Sequence, residues 1–174
     1  MDVRIELSID VTPSSPHDDV VPIVVRAATA SDLPRLRAIA AVVHDNTRFV
    51  VDSRLRPKAG ALYERWIERD VLSAGLALAA VCDEELVGYL TATAESGVGS
   101  ISLVGVDEAA RGHGTGRQLV VAALDWFYVE GCATATVVTS ASALAAQRLY
   151  QTMGFRTSAT GVWLHRWSDR VAAS

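Results

Sequence analysis

The chain has 174 residues, enough for one domain with a real core and too few for two complete enzyme domains. Half of it is hydrophobic and 21% is charged, which excludes a disordered chain, and a net charge of −4 argues against a nucleic-acid binder. Two cysteines make no disulfide framework, the polar start is no signal peptide, and the most apolar run is far too short to span a bilayer. A cytoplasmic protein with no nucleic-acid or membrane partner is the expectation.

Residues 3–11 alternate in period two, with Val3, Ile5, Leu7, Ile9 and Val11 apolar, and read as a half-buried strand. Residues 12–19 carry Pro13 and Pro16 and read as a linker, so residues 1–21 form an N-terminal strand and linker ahead of a domain at 22–174. Ile23-Val24-Val25 makes a second strand. Ser31 is the expected N-cap of a helix with Leu33, Leu36, Ile39, Ala40 and Val43 on one face, ending near His44. Residues 45–58 are polar and arginine-rich, and are expected to be irregular.

A helix is predicted over about 59–72, then strands at 75–81 and 86–94 joined by the tight Asp83-Glu84-Glu85 turn. Another strand covers 100–106. A helix at 116–130 closes at Gly131, a buried strand follows at 133–139, and a helix at 141–153. Residues 155–167 are predicted to form a final hairpin broken at Gly161. The N-terminal strand must bury its apolar face, and is expected to extend the sheet of its own or a partner subunit, consistent with a homodimer.

Between the strand at 100–106 and the helix at 116–130 lies Arg111-Gly112-His113-Gly114-Thr115-Gly116. Glycines let an anion approach the backbone, and the following helix start offers free N–H groups and the positive end of its dipole. Arg111 or Arg117 adds a charged donor. A P-loop needs Gly-Lys followed by Ser or Thr, whereas Arg117-Gln118 follows Gly116. A dinucleotide fingerprint has different spacing and sits early in the chain. Both alternatives weaken, and a glycine turn without a ligand is the plain competing reading.

The stretch from Val104-Gly105-Val106 through Asp107 to Arg111-Gly112-His113-Gly114-Thr115-Gly116 resembles the acetyl-CoA motif of the GNAT superfamily of N-acetyltransferases, with Asp107 in place of the usual proline. Leu149-Tyr150 followed by Gly154-Phe155 resembles that family's second motif. Between about Thr47 and Trp167 the chain is similar to the dTDP-fucosamine (dTDP-4-amino-4,6-dideoxygalactose) acetyltransferase branch. Arg48-Phe49, Tyr63-Glu64-Arg65-Trp66-Ile67, Ala123-Leu124-Asp125-Trp126 and Val162-Trp163-Leu164-His165-Arg166-Trp167 carry that likeness. One departure is Ala143, which stands where the branch has an asparagine.

The resemblance implies an α/β fold with a mixed, mostly antiparallel central sheet flanked by helices, here with an extra N-terminal strand. It implies acetyl transfer from acetyl-CoA to a primary amine, most simply that of a nucleotide-linked amino sugar. Val104, Val106, Arg111, Gly112, His113, Gly114, Thr115, Gly116 and Arg117 would hold the coenzyme. A backbone N–H near Val106 would receive the developing oxyanion, and Tyr150 would protonate the leaving thiolate. His44, Arg48, Trp163 and His165 are candidates for the acceptor site, and Tyr89 could flank a sugar beside Trp163. For the base, His44, Asp45, Glu95, His165 and Ser102 acting through water all stay open. No His or Cys spacing points to a metal. Two further readings remain: transfer to another small amine or a protein N-terminus, and a non-catalytic acyl-CoA sensor.

Overall fold

The computed structural model describes residues 2–13, 23–44, 47–73 and 75–164, apart from the side chains of Arg48 and Val51. Its strands are β1 (Asp2–Asp10), β2 (Ile23–Ala27), β3 (Leu76–Cys82), β4 (Glu85–Glu95), β5 (Val98–Val106), β6 (Thr134–Ser140) and β7 (Arg156–Trp163). The helices are α1 (Leu33–Val43), α2 (Arg48–Val51), α3 (Arg56–Val71), α4 (Thr115–Val129) and α5 (Leu144–Thr152). One sheet runs in the order β2-β3-β4-β5-β6-β1-β7. Its pairs are antiparallel except β5 with β6. The expected fold class is the one observed.

Alternation along the strands sorts the core into two layers. Leu36, Ile39 and Ala40 of α1 and Tyr63 and Ile67 of α3 pack on one face, against Ala79, Tyr89 and Leu103. Leu119, Val120, Ala123 and Phe127 of α4 and Tyr150 of α5 cover the other, against Leu78, Leu90, Ala92, Ile101, Ala135 and Val137.

Several local expectations need correcting. Ser31 is not the cap: Asp32 Oδ2 accepts from the Thr29 N–H at 2.8 Å and its hydroxyl at 2.9 Å, so a short 3-10 turn capped at Thr29 leads into α1. The stretch at 45–58 is not wholly irregular, because α2 lies in it and α3 starts at Arg56, where Pro57 is tolerated in the first helical turn. The final hairpin broken at Gly161 is, over its described length, one strand running through that glycine. Gly161 has no positive φ, so nothing in its backbone forces a turn.

The N-terminal strand is the largest surprise of placement. β1 lies inside its own sheet between β6 and β7, with Leu7 wholly buried. The first and last strands thus pair, and β7 joins the sheet through β1. The strand finds both neighbours within the chain and needs no partner subunit to pair with.

What positions the site is a defect in the sheet. β5 pairs with β6 only from Val98–Thr134 to Ile101–Val137, after which the two strands part. Opposite the same point, Thr91 faces Leu103 and Ala92 faces Ile101, leaving Ser102 as an extra residue. Such a bulge bends its strand and raises its twist. The split between β5 and β6 begins where that bend falls.

Candidate active site

The split opens a cavity of about 700 Å³ that runs from the glycine loop, between β5 and β6, to the end of α1 and the middle of α3. Along β5, Asp107 N–H donates to Val87 O, so the Val87–Asp107 pair is hydrogen-bonded and Gly88–Val106 is the alternate, unbonded pair. The backbone groups of Val104 and Val106 therefore face away from β4, toward the gap. Only Val106 O has a described side-chain partner there, the Arg111 Nε at 3.1 Å.

At the loop, Gly112 and Gly114 adopt φ of +80° and +84°, the left-handed region that favours glycine. The Thr115 hydroxyl donates to Ala110 O at 3.0 Å, which ties the loop closed and starts α4 one residue earlier than expected. The first N–H groups of a helix lack intrahelical partners, so the end of α4 offers an anion site against the cavity. Val104, Val106, Arg111, Gly112, Gly114, Thr115, Gly116 and Arg117 all line it. His113 is exposed and does not.

At the far end, the His44 ring stacks on Tyr63 with centroids 4.1 Å apart, and its Nε2 lies 2.8 Å from the Tyr89 hydroxyl. Phe49 and Trp66 pack edge-on and tilted around Tyr63, and the group lines the cavity together with Trp163. Burial pulls the His44 pKa down to about 4, so the ring is neutral at neutral pH. Burial, with the nearby Tyr63 and Asp70, drives the Tyr89 pKa well up.

Tyr150 projects from α5 between these ends. It is almost wholly buried, its ring packs on Phe155, and its hydroxyl makes no hydrogen bond to a described residue. Burial raises its pKa, so it holds its proton at neutral pH. Ala143 is the N-cap of α5 and offers no side-chain bond. Gln147 braces the turn instead, donating from Nε2 to Ser140 O at 3.2 Å and Ala141 O at 2.9 Å. Ser140 in turn donates to Asp2 Oδ1 at 2.6 Å, and Asp2 Oδ2 is buried without a partner.

The structure thus brings Val104, Val106, the loop residues other than His113, Tyr150, His44 and Trp163 onto one cavity. Arg48 lies in α2, but its side chain is outside the described residues, as is all of His165. Asp45 is also outside them, while Glu95 does not line the cavity. Sequence reading missed Asp2 and the Tyr63–His44–Tyr89 group, whose members come from separate elements. Among the described residues no group of His, Cys, Asp and Glu could hold a metal ion, and no helix is long and apolar enough to cross a membrane.

Residues 39–155 match the model of the acetyltransferase (GNAT) family. The chain is 27% identical over 147 residues to a dTDP-fucosamine acetyltransferase of Escherichia coli O6:H1, covering 80% of this chain and 61% of that one. It is 34% identical over 116 residues to a mycothiol acetyltransferase of Saccharopolyspora erythraea, covering 63% of this chain and 38% of the relative. The chain therefore spans less than two thirds of either relative. In fold it is similar to the PaiA N-acetyltransferase of Thermoplasma acidophilum in complex with coenzyme A, with a TM-score of 0.64, 14% identity, and 75% and 87% of the two chains covered. AAC(6')-Iy in complex with a CoA-containing bisubstrate analogue gives a TM-score of 0.62 at 17% identity, covering 84% of this chain and 99% of that one. With a family match over most of its length and the fold to go with it, the chain belongs to the GNAT family of acetyltransferases.

Proposed function

We propose that the chain transfers the acetyl group of acetyl-CoA to the primary amine of a nucleotide-linked amino sugar. The observation that carries this reading is the single cavity that joins the glycine loop, the gap-facing backbone groups of β5 and Tyr150. The coenzyme fits that order of groups. Gly112, Gly114 and the start of α4 would hold its pyrophosphate, with Arg111 and Arg117 at the rim. The gap-facing N–H and C=O groups of Val104 would bond its amide-bearing arm as a neighbouring strand would. Bound there, the coenzyme supplies an activated thioester.

The residues of this chain would then do three things. The Val106 N–H, fixed by the β4 ladder, would donate to the thioester oxygen as charge develops on it. Tyr150 would give its proton to the departing sulfur. Its raised pKa does not oppose this, because the burial that disfavours a phenolate disfavours a thiolate there too. Tyr63, Trp66 and Trp163 would enclose the acceptor and exclude water from the acyl group. The named activity of the Escherichia coli relative supports an amino-sugar acceptor.

One observation favours a second reading, a small amine without a nucleotide. The arginines that line the cavity among the described residues, Arg111 and Arg117, both sit at the glycine loop. The cavity is also lined by Asp2, whose buried Oδ2 has no partner and would suit a protonated amine.

Release of free thiol from acetyl-CoA tests the proposal against dTDP-4-amino-4,6-dideoxygalactose, an aminoglycoside, a polyamine and a peptide N-terminus. The proposal expects the highest kcat/KM with the nucleotide sugar. A better aminoglycoside or polyamine would support the second reading. Tight acetyl-CoA binding with no thiol release from any amine would make the protein a sensor.

A further inference from the structure

Tyr89 is wholly buried, and a buried hydroxyl must place its one proton on an acceptor. Among the described residues its hydroxyl has one hydrogen-bond partner, His44 Nε2 at 2.8 Å. If Nε2 carried the hydrogen, Tyr89 would be the acceptor and its own proton would stay buried with nowhere to go. Tyr89 must therefore donate and Nε2 accept. A neutral imidazole that accepts at Nε2 carries its hydrogen on Nδ1.

The remaining ring nitrogen is Nδ1. No described residue bonds Nδ1, and the buried side-chain atom left unpartnered among them is Asp2 Oδ2, so Nδ1 is reachable from solvent. His44 lines the cavity, one ring face is covered by Tyr63, and Nε2 is taken by Tyr89. We propose that Tyr89 locks His44 as the Nδ1–H tautomer, which turns a hydrogen-bond donor into the acceptor end of the cavity and reads an oxygen atom of the acceptor.

His44 is then not the base that frees the amine. A nitrogen that already carries hydrogen cannot take the amine's proton, and the other nitrogen is occupied. Burial reinforces this by keeping the ring neutral and weakly basic. Tyr89 is a positioning residue: it fixes which nitrogen faces the substrate and touches no reacting atom. The inference rests on the acetyl-transfer reading for the identity of the molecule read, a carrier of hydroxyl, carbonyl or phosphate oxygens. The tautomer itself does not.

The test accordingly has two arms. Long-range 1H–15N spectra of the free, 15N-labelled protein read the tautomer without any substrate. The proposal expects one His44 signal set with hydrogen on Nδ1 across neutral pH, and mixed tautomers in Tyr89→Phe. Hydrogen on Nε2, or an imidazolium, in the wild-type protein would overturn it. The kinetic arm uses the amine acetylated fastest in the panel above. His44→Ala should raise its KM about tenfold, with a much smaller effect on kcat. His44→Asn, whose amide restores an N–H near Nδ1, should recover most of that loss, and His44→Gln, which places its amide near Nε2, should not. A hundredfold fall in kcat in all three variants would instead make His44 the base. Failure of every amine to react would count against the acetyl-transfer reading, while the spectra still decide the tautomer.

Discussion

Gly105 lies directly across the β4–β5 pair from Tyr89, and the tyrosine ring fills the space that a Cβ on Gly105 would need. Such an atom would fall 2.5 Å from Tyr89 Cε1 and 2.9 Å from its hydroxyl oxygen. The missing side chain on β5 is what lets the ring lie there and reach His44.

Gly105→Ala should therefore overpack a buried site, at a cost of about 1–3 kcal/mol. Urea unfolding should show a lower midpoint with an unchanged slope. The displaced ring should also disturb the His44 signals. An unchanged midpoint would mean that Tyr89 has room to move.

The glycine loop makes the opposite kind of demand. A Cβ on Gly112 would meet nothing within 4 Å, but φ there is +80°. Gly112→Ala is thus limited by backbone strain, about 1–2 kcal/mol for a side chain in the left-handed region. If the loop cradles pyrophosphate, coenzyme A should bind about tenfold more weakly, as that strain is relieved by moving the loop. Gly161→Ala, in β7 with open space and no positive φ, is the control and should bind normally. Titration calorimetry with coenzyme A separates the two.

His44 also gives the fold a pH signature. Its pKa is about 4 in the folded chain against an ordinary 6.5, so below pH 6.5 the unfolded chain takes up a proton that the folded chain refuses. The associated stability is complete above pH 6.5 and is lost as pH falls to 4, by at most about 3 kcal/mol. Its hydrogen-bond partner Tyr89, whose pKa burial drives up, stays neutral in that window. His44→Asn should be less sensitive to pH there than the wild type. Parallel unfolding curves for the two proteins between these pH values would contradict the assignment.

Legibility in the sequence followed the range of the interactions. The glycine loop and the α4 start were visible because both depend on neighbouring residues. Tyr150 was visible within its helix, but its open hydroxyl was not. Period two announced β1, yet its neighbours β6 and β7 come at the other end of the chain, and alternation carries no address. The bulge at Ser102 adds one residue to an otherwise regular run, so the split it accompanies left no mark on the pattern. Ser31 and Thr29 are both good caps, and Asp32 decides between them by bonding back to Thr29 while pairing with Arg26. The His44 group joins α1, α3 and β4, and no single window of sequence contains it.

In the proposed transfer, Tyr150 delivers the proton that lets the thiol leave. The direct measurement is steady-state thiol release by Tyr150→Phe, paired with the affinity of each protein for acetyl-CoA. A fall in kcat of about a hundredfold or more is expected, with an unchanged acetyl-CoA Kd, since the ring is kept and only the donor is lost. Equal turnover in the variant would remove Tyr150 from the chemistry.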